Sequence, residues 1–215
     1  MALLKLLKKS PISARIGMVI VLLNILAAVF VPIIAPYGET EIVSDVWMEI
    51  SEDHLLGTDH IGRDLFTRML YGARNTISIA FIITILSFIV GSICGFFAAT
   101  MGGWVDMTLS RIVDVMMAFP TLIFALMVLS VVGTSPSALI IVIALLDSTR
   151  VYRLSRAVAM DIEVMEYVEV ARLRGEKIWW LMRREILPNS LPPLVAEFGL
   201  RFCFVFLFMG FCRLI

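Results

Sequence analysis

Charged residues are scarce in this chain. Only 17% of its 215 residues are Asp, Glu, Lys or Arg, and 60% are hydrophobic, whereas a soluble globular domain carries about 25% charged residues. This composition excludes an ordinary soluble domain, because too few polar side chains are present to cover its surface. The sequence therefore predicts an integral membrane protein. Positive and negative charges balance to a net charge of zero, which by itself says nothing about charged partners.

Cysteine and histidine are also rare. The three cysteines, all in apolar runs at irregular spacing, are Cys94, Cys203 and Cys212. That spacing suits neither a disulfide framework nor a zinc site, and it predicts small buried side chains. His54 and His60 lie near Asp59 and Asp64, but they are six residues apart, unlike the i, i+4 pair of a helical metal site. We therefore predict no metal site and no catalytic residue.

A nucleotide-binding loop of the G-x-x-x-x-G-K-[ST] type is absent as well. Gly102 and Gly103 are not followed by a lysine, so they cannot form such a loop. We therefore expect no nucleotide or other cofactor on this chain.

Long apolar runs are what the chain does have. A helix needs about 20 apolar residues to cross the hydrocarbon core of a bilayer, and five segments meet or approach that length: about 16–35, 77–100, 112–132, 136–152 and 191–215. Pro120 predicts a kink in the third, and Ser135 with Pro136 predicts the capped start of the fourth. Gly91 and Gly95 form a GxxxG pair that allows a close helix approach. The predicted fold class is all-α: a polytopic membrane protein with about five transmembrane helices.

The distribution of charge predicts the orientation of these helices. Residues 1–15 contain four basic residues and no acid, residues 37–76 contain eight acids and three arginines, and residues 150–189 contain eight basic residues. Basic residues are enriched on the cytoplasmic side of a membrane. The N-terminus and residues 153–189 are therefore predicted inside, and residues 37–76 outside.

The predicted cytoplasmic loop, residues 157–189, has the pattern of two short helices. Apolar residues recur at helical spacing in its first part: Met160, Val164, Val168 and Ala171. Gly175 is placed to end this helix in a left-handed conformation. A second helix then opens at Glu176 and is expected to stop at Pro188. Such a loop could form a compact knob that fits a cleft on a soluble partner. The alternative is an amphipathic loop on the lipid surface, with Trp179 and Trp180 among the headgroups.

Two further groups of polar residues are candidates for function. In the predicted external loop, Gly57 and Gly62 suit turns, and the arginines at positions 63, 68 and 74 either snorkel or pair with Asp59 and Asp64. Inside the predicted spans, five charged residues would be costly if they faced lipid: Asp114, Asp147, Arg150, Glu197 and Arg201. Glu197 and Arg201 are four residues apart and can pair on one helix face. These residues either line a translocation path at a dimer interface or form structural pairs between packed helices.

Two segments of the chain resemble those of a known family. Residues 166–189 are similar to the loop by which permease subunits of ABC importers dock onto their ATPase, whose pattern is E-A-A, three residues, Gly, and later L-P. The matching residues are Glu169, Ala171, Gly175, Leu187 and Pro188, and Val170 replaces the central alanine.

Residues 54–75 resemble the L-G-T-D-x-x-G-R-D…S-R…Y-G-A-R signature of the dipeptide, oligopeptide and nickel permease family. The signature matches at Leu56, Gly57, Thr58, Asp59, Gly62, Arg63, Asp64, Arg68, Tyr71, Gly72, Ala73 and Arg74. Thr67 takes the place usually held by serine. Together with the order of the spans, both segments resemble the second permease subunit of peptide-type ABC importers.

This resemblance implies a multi-pass subunit of the bacterial cytoplasmic (inner) membrane that translocates peptides and is not itself an enzyme. The implied partners are a second permease subunit, two ATPase subunits that hydrolyse ATP, and an external solute-binding protein; no nucleic acid is expected. In the family, residues like those of 54–75 lie on the external face. Nickel or another small solute is the alternative cargo.

The resemblance ends near residue 208. Members of the family are longer and have six spans, and they continue differently from the final residues here, 208–215. The sequence therefore predicts a C-terminally truncated permease, and a non-functional remnant is an alternative to a working subunit. The predicted organisation is a first region, residues 1–75, with the cytoplasmic tail, first span and external loop. The transmembrane core with its coupling loop follows in residues 76–215.

Overall fold

A computed structural model describes residues 11–133 and 135–214, without the side chains of residues 15 and 210–214. Most of the N-terminal basic residues used to predict the orientation, and the side chain of Cys212, lie outside the described residues. The chain divides into two compact units, Met1–Ser78 and Ile79–Ile215.

Helices are the regular elements of the described residues, apart from one isolated antiparallel bridge between Thr58 and Asp64. In chain order they are α1 (Ile12–Ile34), α2 (Leu65–Met101), α3 (Gly103–Ala118), α4 (Thr121–Val132), α5 (Pro136–Glu163), α6 (Glu166–Leu173), α7 (Ile178–Leu181) and α8 (Leu187–Leu214). A π-helical turn, Met182–Ile186, joins α7 to α8. The predicted all-α class is confirmed.

Within the described residues, three helical stretches are long and apolar enough to cross a membrane: residues 15–34, 65–101 and 178–209. The bent pair of α3 and α4 brings the number to four if it is counted as one span, whereas the sequence predicted about five. The predicted fourth span is indeed a helix, α5, and it begins as expected, with the Ser135 hydroxyl accepting a hydrogen bond from Ala138 N–H at 3.3 Å. Its length is sufficient, but Asp147, Arg150 and Arg153 lower its hydropathy.

Helices α2 and α5 approach each other backbone to backbone. A Cβ atom placed on Gly91 would lie 2.7 Å from the carbonyl oxygen of Ser148, and one on Gly95 would lie 2.8 Å from that of Tyr152. These distances are too short for any side chain, so the predicted GxxxG role is confirmed: the two glycines create the contact surface. Beside them, the Ser87 hydroxyl donates to the carbonyl oxygen of Ala144 at 3.0 Å.

The helix predicted at 112–132 is broken rather than gently kinked. Helix α3 ends at Ala118 and α4 begins at Thr121, and their axes differ by 91°. Pro120 precedes the first turn of α4, where its missing N–H costs nothing and its ring prevents α3 from continuing. Near its start, α3 is joined to α5 by a bidentate ion pair between Asp106 and Arg156. The 50 residues between these partners explain why the sequence did not reveal the pair.

We expect Gly91→Val and Gly95→Val each to destabilise the second unit by about 1–3 kcal/mol, because the added methyl groups collide with the backbone of α5. Gly199→Val is the matched control, since no atom of the described residues lies within 4 Å of a Cβ at that helical position. Thermal unfolding in detergent measures the difference. Equal melting temperatures for all three variants would contradict this account of the α2–α5 contact.

Candidate functional site

The glycine predicted to end the first loop helix does so. Gly175 has φ +80°, and its N–H donates to the carbonyl oxygen of Arg172 at 2.9 Å, while Glu176 N–H donates to that of Ala171 at 3.3 Å. This pair of bonds is the Schellman arrangement, which satisfies carbonyl groups left open at a helix end. The chain therefore leaves α6 in a fixed direction towards α7.

One face of α6 is buried against the ends of three longer helices. Val168 and Ala171 are 0% and 1% exposed. They belong to a cluster that also contains residues of α2, α5, α7, the π turn and α8: Phe96, Ala99, Ala159, Ile162, Leu181, Met182, Ile186 and Leu194. Because packed interiors transmit displacement rather than absorb it, a force on α6 would reach all of these helices.

Arg172 adds polar anchors to this packing. Its guanidinium donates to the carbonyl oxygen of Thr100, at the end of α2, at 3.1 Å and also bonds the carboxylate of Glu163 at the end of α5. The first of these contacts spans 72 residues, so no local pattern predicts it. Arg172 thereby fixes α6 to two helix ends at once.

The opposite face of α6 is exposed. Glu169, Val170 and Leu173 point away from the cluster, and Leu173 is 82% exposed. Met160 and Val164, which the sequence placed on the same apolar stripe as Val168, are also exposed. That part of the prediction was wrong, because α5 ends at Glu163 and the chain changes direction before α6 begins at Glu166. The name "docking face" is used below for Glu169, Val170 and Leu173.

The prediction that Pro188 stops the second loop helix was wrong. The chain passes from α7 through the π turn into α8, in which Pro188 is the second residue. Leu187 N–H donates to the carbonyl oxygen of Met182, five residues back. This wider turn accommodates a proline whose ring would clash with the carbonyl four residues back in a regular α-helix. Leu187 and Pro188 are both exposed at the start of α8.

Of the five polar residues predicted inside the spans, Arg150 is exposed on α5, and the other four fall into two groups. Glu197 and Arg201 pair on α8 as their spacing predicted, and Arg201 also lies 3.8 Å from a carboxylate oxygen of Asp147 on α5. Asp114 is not part of this cluster. It faces Arg153 across the α3–α5 contact at 3.6 Å, and both side chains are about half exposed.

In the first unit, Asp59 is the centre of the loop that carries the second family signature. It is 4% exposed and accepts hydrogen bonds from the backbone N–H groups of Ile61 and Arg63 at 2.8 and 3.0 Å. The guanidinium groups of Arg63 and Arg68 also bond its carboxylate. Burial by itself raises the pKa of Asp59. The hydrogen bonds, led by those from Arg63 and Ile61, lower the pKa by more than burial raises it, so the net pKa lies well below the usual range. Its contribution to stability is therefore present above about pH 4 and is lost as the pH falls towards the lowered pKa.

Other signature residues shape the same loop. Gly57 and Gly62 have φ +74° and +82°, and a Cβ on either would lie within 2.4 Å of a backbone oxygen. Thr58, which is buried, bonds the backbone of Met48 and Asp45. Leu56, in contrast, is 43% exposed. Most of the signature thus has a structural role that favours the turn and ion-pair interpretation.

The four side chains considered for a metal site have other contacts. Asp64 accepts a hydrogen bond from Thr67 N–H at 2.8 Å and so caps α2, and its second oxygen lies 3.3 Å from His54 Nδ1. The carboxylate of Asp59 is bonded to the guanidinium groups of Arg63 and Arg68, and His60 is exposed beside Trp47.

Asp59→Asn should loosen this loop. We expect about tenfold faster amide exchange at Ile61 and Arg63, because a neutral amide cannot balance the two arginines and accepts weaker hydrogen bonds. Asp53→Asn is the control, since this substitution makes the same chemical change at an exposed position of the same loop. Hydrogen exchange followed by mass spectrometry would measure both, and unchanged exchange in Asp59→Asn would contradict the central role of this carboxylate.

Comparison with known proteins identifies the family of this chain. The family model described as "Binding-protein-dependent transport system inner membrane component" matches residues 91–211, which is more than half of the chain. The chain is 35% identical to the dipeptide transport system permease protein DppC of Alkalihalophilus pseudofirmus over 92% of its own length. It is 34% identical to DppC of Haemophilus influenzae over 86% of its length, and 31% identical to the probable D,D-dipeptide transport system permease protein DdpC of Escherichia coli K12 over 90%.

In each of these three alignments the match covers 65% of the relative, so the chain spans slightly less than two thirds of the length of these curated relatives. The family model, however, covers α5, α6, α7 and most of α8 together, which are the elements that build the candidate site. The chain belongs to the family of binding-protein-dependent transport system inner membrane components.

Proposed function

We propose that this chain is a transmembrane permease subunit of an ATP-driven importer that moves peptides across the bacterial cytoplasmic membrane. The observation that carries the proposal is the construction of α6. One face is buried against the ends of α2, α5 and α8, and the other presents Glu169, Val170 and Leu173 to solvent. An element of this kind receives a partner on one side and passes its movement to transmembrane helices on the other.

The partner on the docking face is an ATPase subunit. This chain has no nucleotide-binding loop, so the energy of ATP must arrive through a protein contact. Two ATPase subunits close on ATP binding, and α6 transmits that closure through its buried cluster to the helices that line the path. The solute crosses without chemical change, and ATP is hydrolysed on the partner subunits.

The remaining partners are a second permease subunit and an external solute-binding protein. The charge distribution supports a cytoplasmic N-terminus and an external position for the loop of residues 35–64. That loop is fixed internally by Asp59, and we assign its exposed surface, including Leu56, to the binding protein. The names of the relatives, which refer to dipeptide transport, favour peptides over nickel as the solute.

Loss of the docking face should abolish ATPase binding. We expect Leu173→Asp to reduce capture of the cognate ATPase subunits by about tenfold or more, because it places a charge in the apolar centre of the contact. Copurification in detergent, followed by uptake of a labelled dipeptide into vesicles, measures the effect. Ile50→Asp is the matched control for copurification alone, since it adds the same charge at an apolar position, 75% exposed, in the other unit.

Leu173→Asp is a cleaner test than a substitution at Gly175. A side chain at Gly175 would meet no atom within 4 Å but would strain the left-handed cap, so it would alter the loop rather than its surface. Equal ATPase capture by wild type and Leu173→Asp would exclude the docking face as the ATPase contact.

A further inference from the structure

A cavity lies where the break between α3 and α4 faces α5 and α8. Its volume is about 360 Å³, which is at the lower end of the range for small-molecule sites. Apolar side chains form most of its wall, among them Phe204 and Phe208, and the polar contributions come from Asp147, Arg150 and the start of α4 at Thr121. All of these residues belong to the second unit.

Asp147 is the unusual member of this wall. It is 8% exposed, and within residues 11–133 and 135–214 its Oδ2 atom has no hydrogen-bond donor. Its other oxygen lies 3.8 Å from Arg201 Nη1, too far for a hydrogen bond, and among the described residues that nitrogen also has no hydrogen-bond partner. The same guanidinium donates from Nε to Glu197 and lies over the ring of Phe204 at 5.5 Å. Two carboxylates thus share one arginine. A buried carboxylate oxygen without a donor is costly, and a positively charged ligand group would remove that cost.

The opposite charge is supplied at the start of α4. The N-cap residue of this 12-residue helix, Pro120, makes no side-chain cap hydrogen bond. Among the described residues the first N–H groups of α4 are therefore open to an acceptor, and they carry the positive end of the helix dipole. Arg150 lines the same cavity, one turn beyond Asp147 on α5. In membrane transporters, the N-termini of broken helices commonly face anionic groups of the solute.

We propose that this cavity binds a small zwitterionic solute of dipeptide size. The ammonium group of the solute donates to Asp147 Oδ2, and its carboxylate accepts from the first N–H groups of α4 and from Arg150. The apolar wall makes no specific polar contact with the side chains of the solute, so the site recognises only its two charged ends. This inference rests on the proposed transport function, whose path it places between α4, α5 and α8.

The test is direct binding of alanyl-alanine to the full chain in nanodiscs of phosphatidylglycerol, a lipid that has no ammonium group to occupy the site. Titration by saturation-transfer NMR gives the dissociation constant. We expect N-acetyl-alanyl-alanine and alanyl-alanine amide each to bind at least about tenfold more weakly, because each lacks one charged end. Failure of wild type to bind alanyl-alanine at millimolar concentration would overturn the proposal.

Two variants test which residue binds each charged end of the solute. Asp147→Asn should bind alanyl-alanine about tenfold more weakly and no longer distinguish it from the N-acetyl form. Arg150 is exposed, so Arg150→Gln should not disturb folding. This variant should bind alanyl-alanine and its amide with equal affinity, and it should still bind the N-acetyl form more weakly than alanyl-alanine. Asp161→Asn is the control for the same chemical change on the same helix, and it should bind as wild type. Wild-type affinities of Asp147→Asn for all three ligands would refute the site.

Failure of this inference is distinguishable from failure of the proposed function. Binding is measured on the chain without an ATPase, whereas ATPase capture by the docking face does not involve the cavity. Normal ATPase capture and dipeptide uptake, with no binding of alanyl-alanine, would leave the transport function standing and reject the cavity as its site.

Discussion

The close contact between α2 and α5 is the constraint on which the second unit depends. Gly91 and Gly95 let the two backbones approach to a distance at which no side chain fits. In a membrane, where lipid is as apolar as the helices, such packing and the hydrogen bonds beside it supply the association energy that the hydrophobic effect supplies in water. Helix α5 then serves as the element against which α3 is paired through Arg156 and α8 through Asp147.

The same helix connects the two ends of the proposed mechanism. At its far end, α5 packs against α6, whose position is fixed by the cap at Gly175 and by the bonds of Arg172 to two helix termini. Nearer its middle, Asp147 lines the cavity beside the α3–α4 break. A displacement of the docking face would therefore reach the cavity through one continuous helix. In the proposed mechanism α6 would act as a rigid lever, because its buried apolar residues pack in one cluster with residues of α2, α5 and α8.

How much could be predicted from the sequence depended on whether the cause was local. The end of α6 at Gly175, the start of α5 at Ser135 and the pairing of Glu197 with Arg201 each follow from residues within one or two turns, and the structure confirms them. The continuation of α7 through Pro188 could not be predicted, because a π turn provides the room that a regular helix lacks. The exposure of Val164 also escaped prediction, since helical spacing cannot show where a helix ends.

The sequence by itself determined the class of the protein: long apolar runs with few charges can only form helices that satisfy their own backbone in a membrane. It also determined the local devices, such as the glycine pair and the helix caps, because their physics involves neighbouring residues. The tertiary structure alone decided the partners across space. Helix packing joins residues that are far apart along the chain. It decides which backbone the glycines contact, that Arg172 bonds Thr100, and that one oxygen of Asp147 has no donor among the described residues.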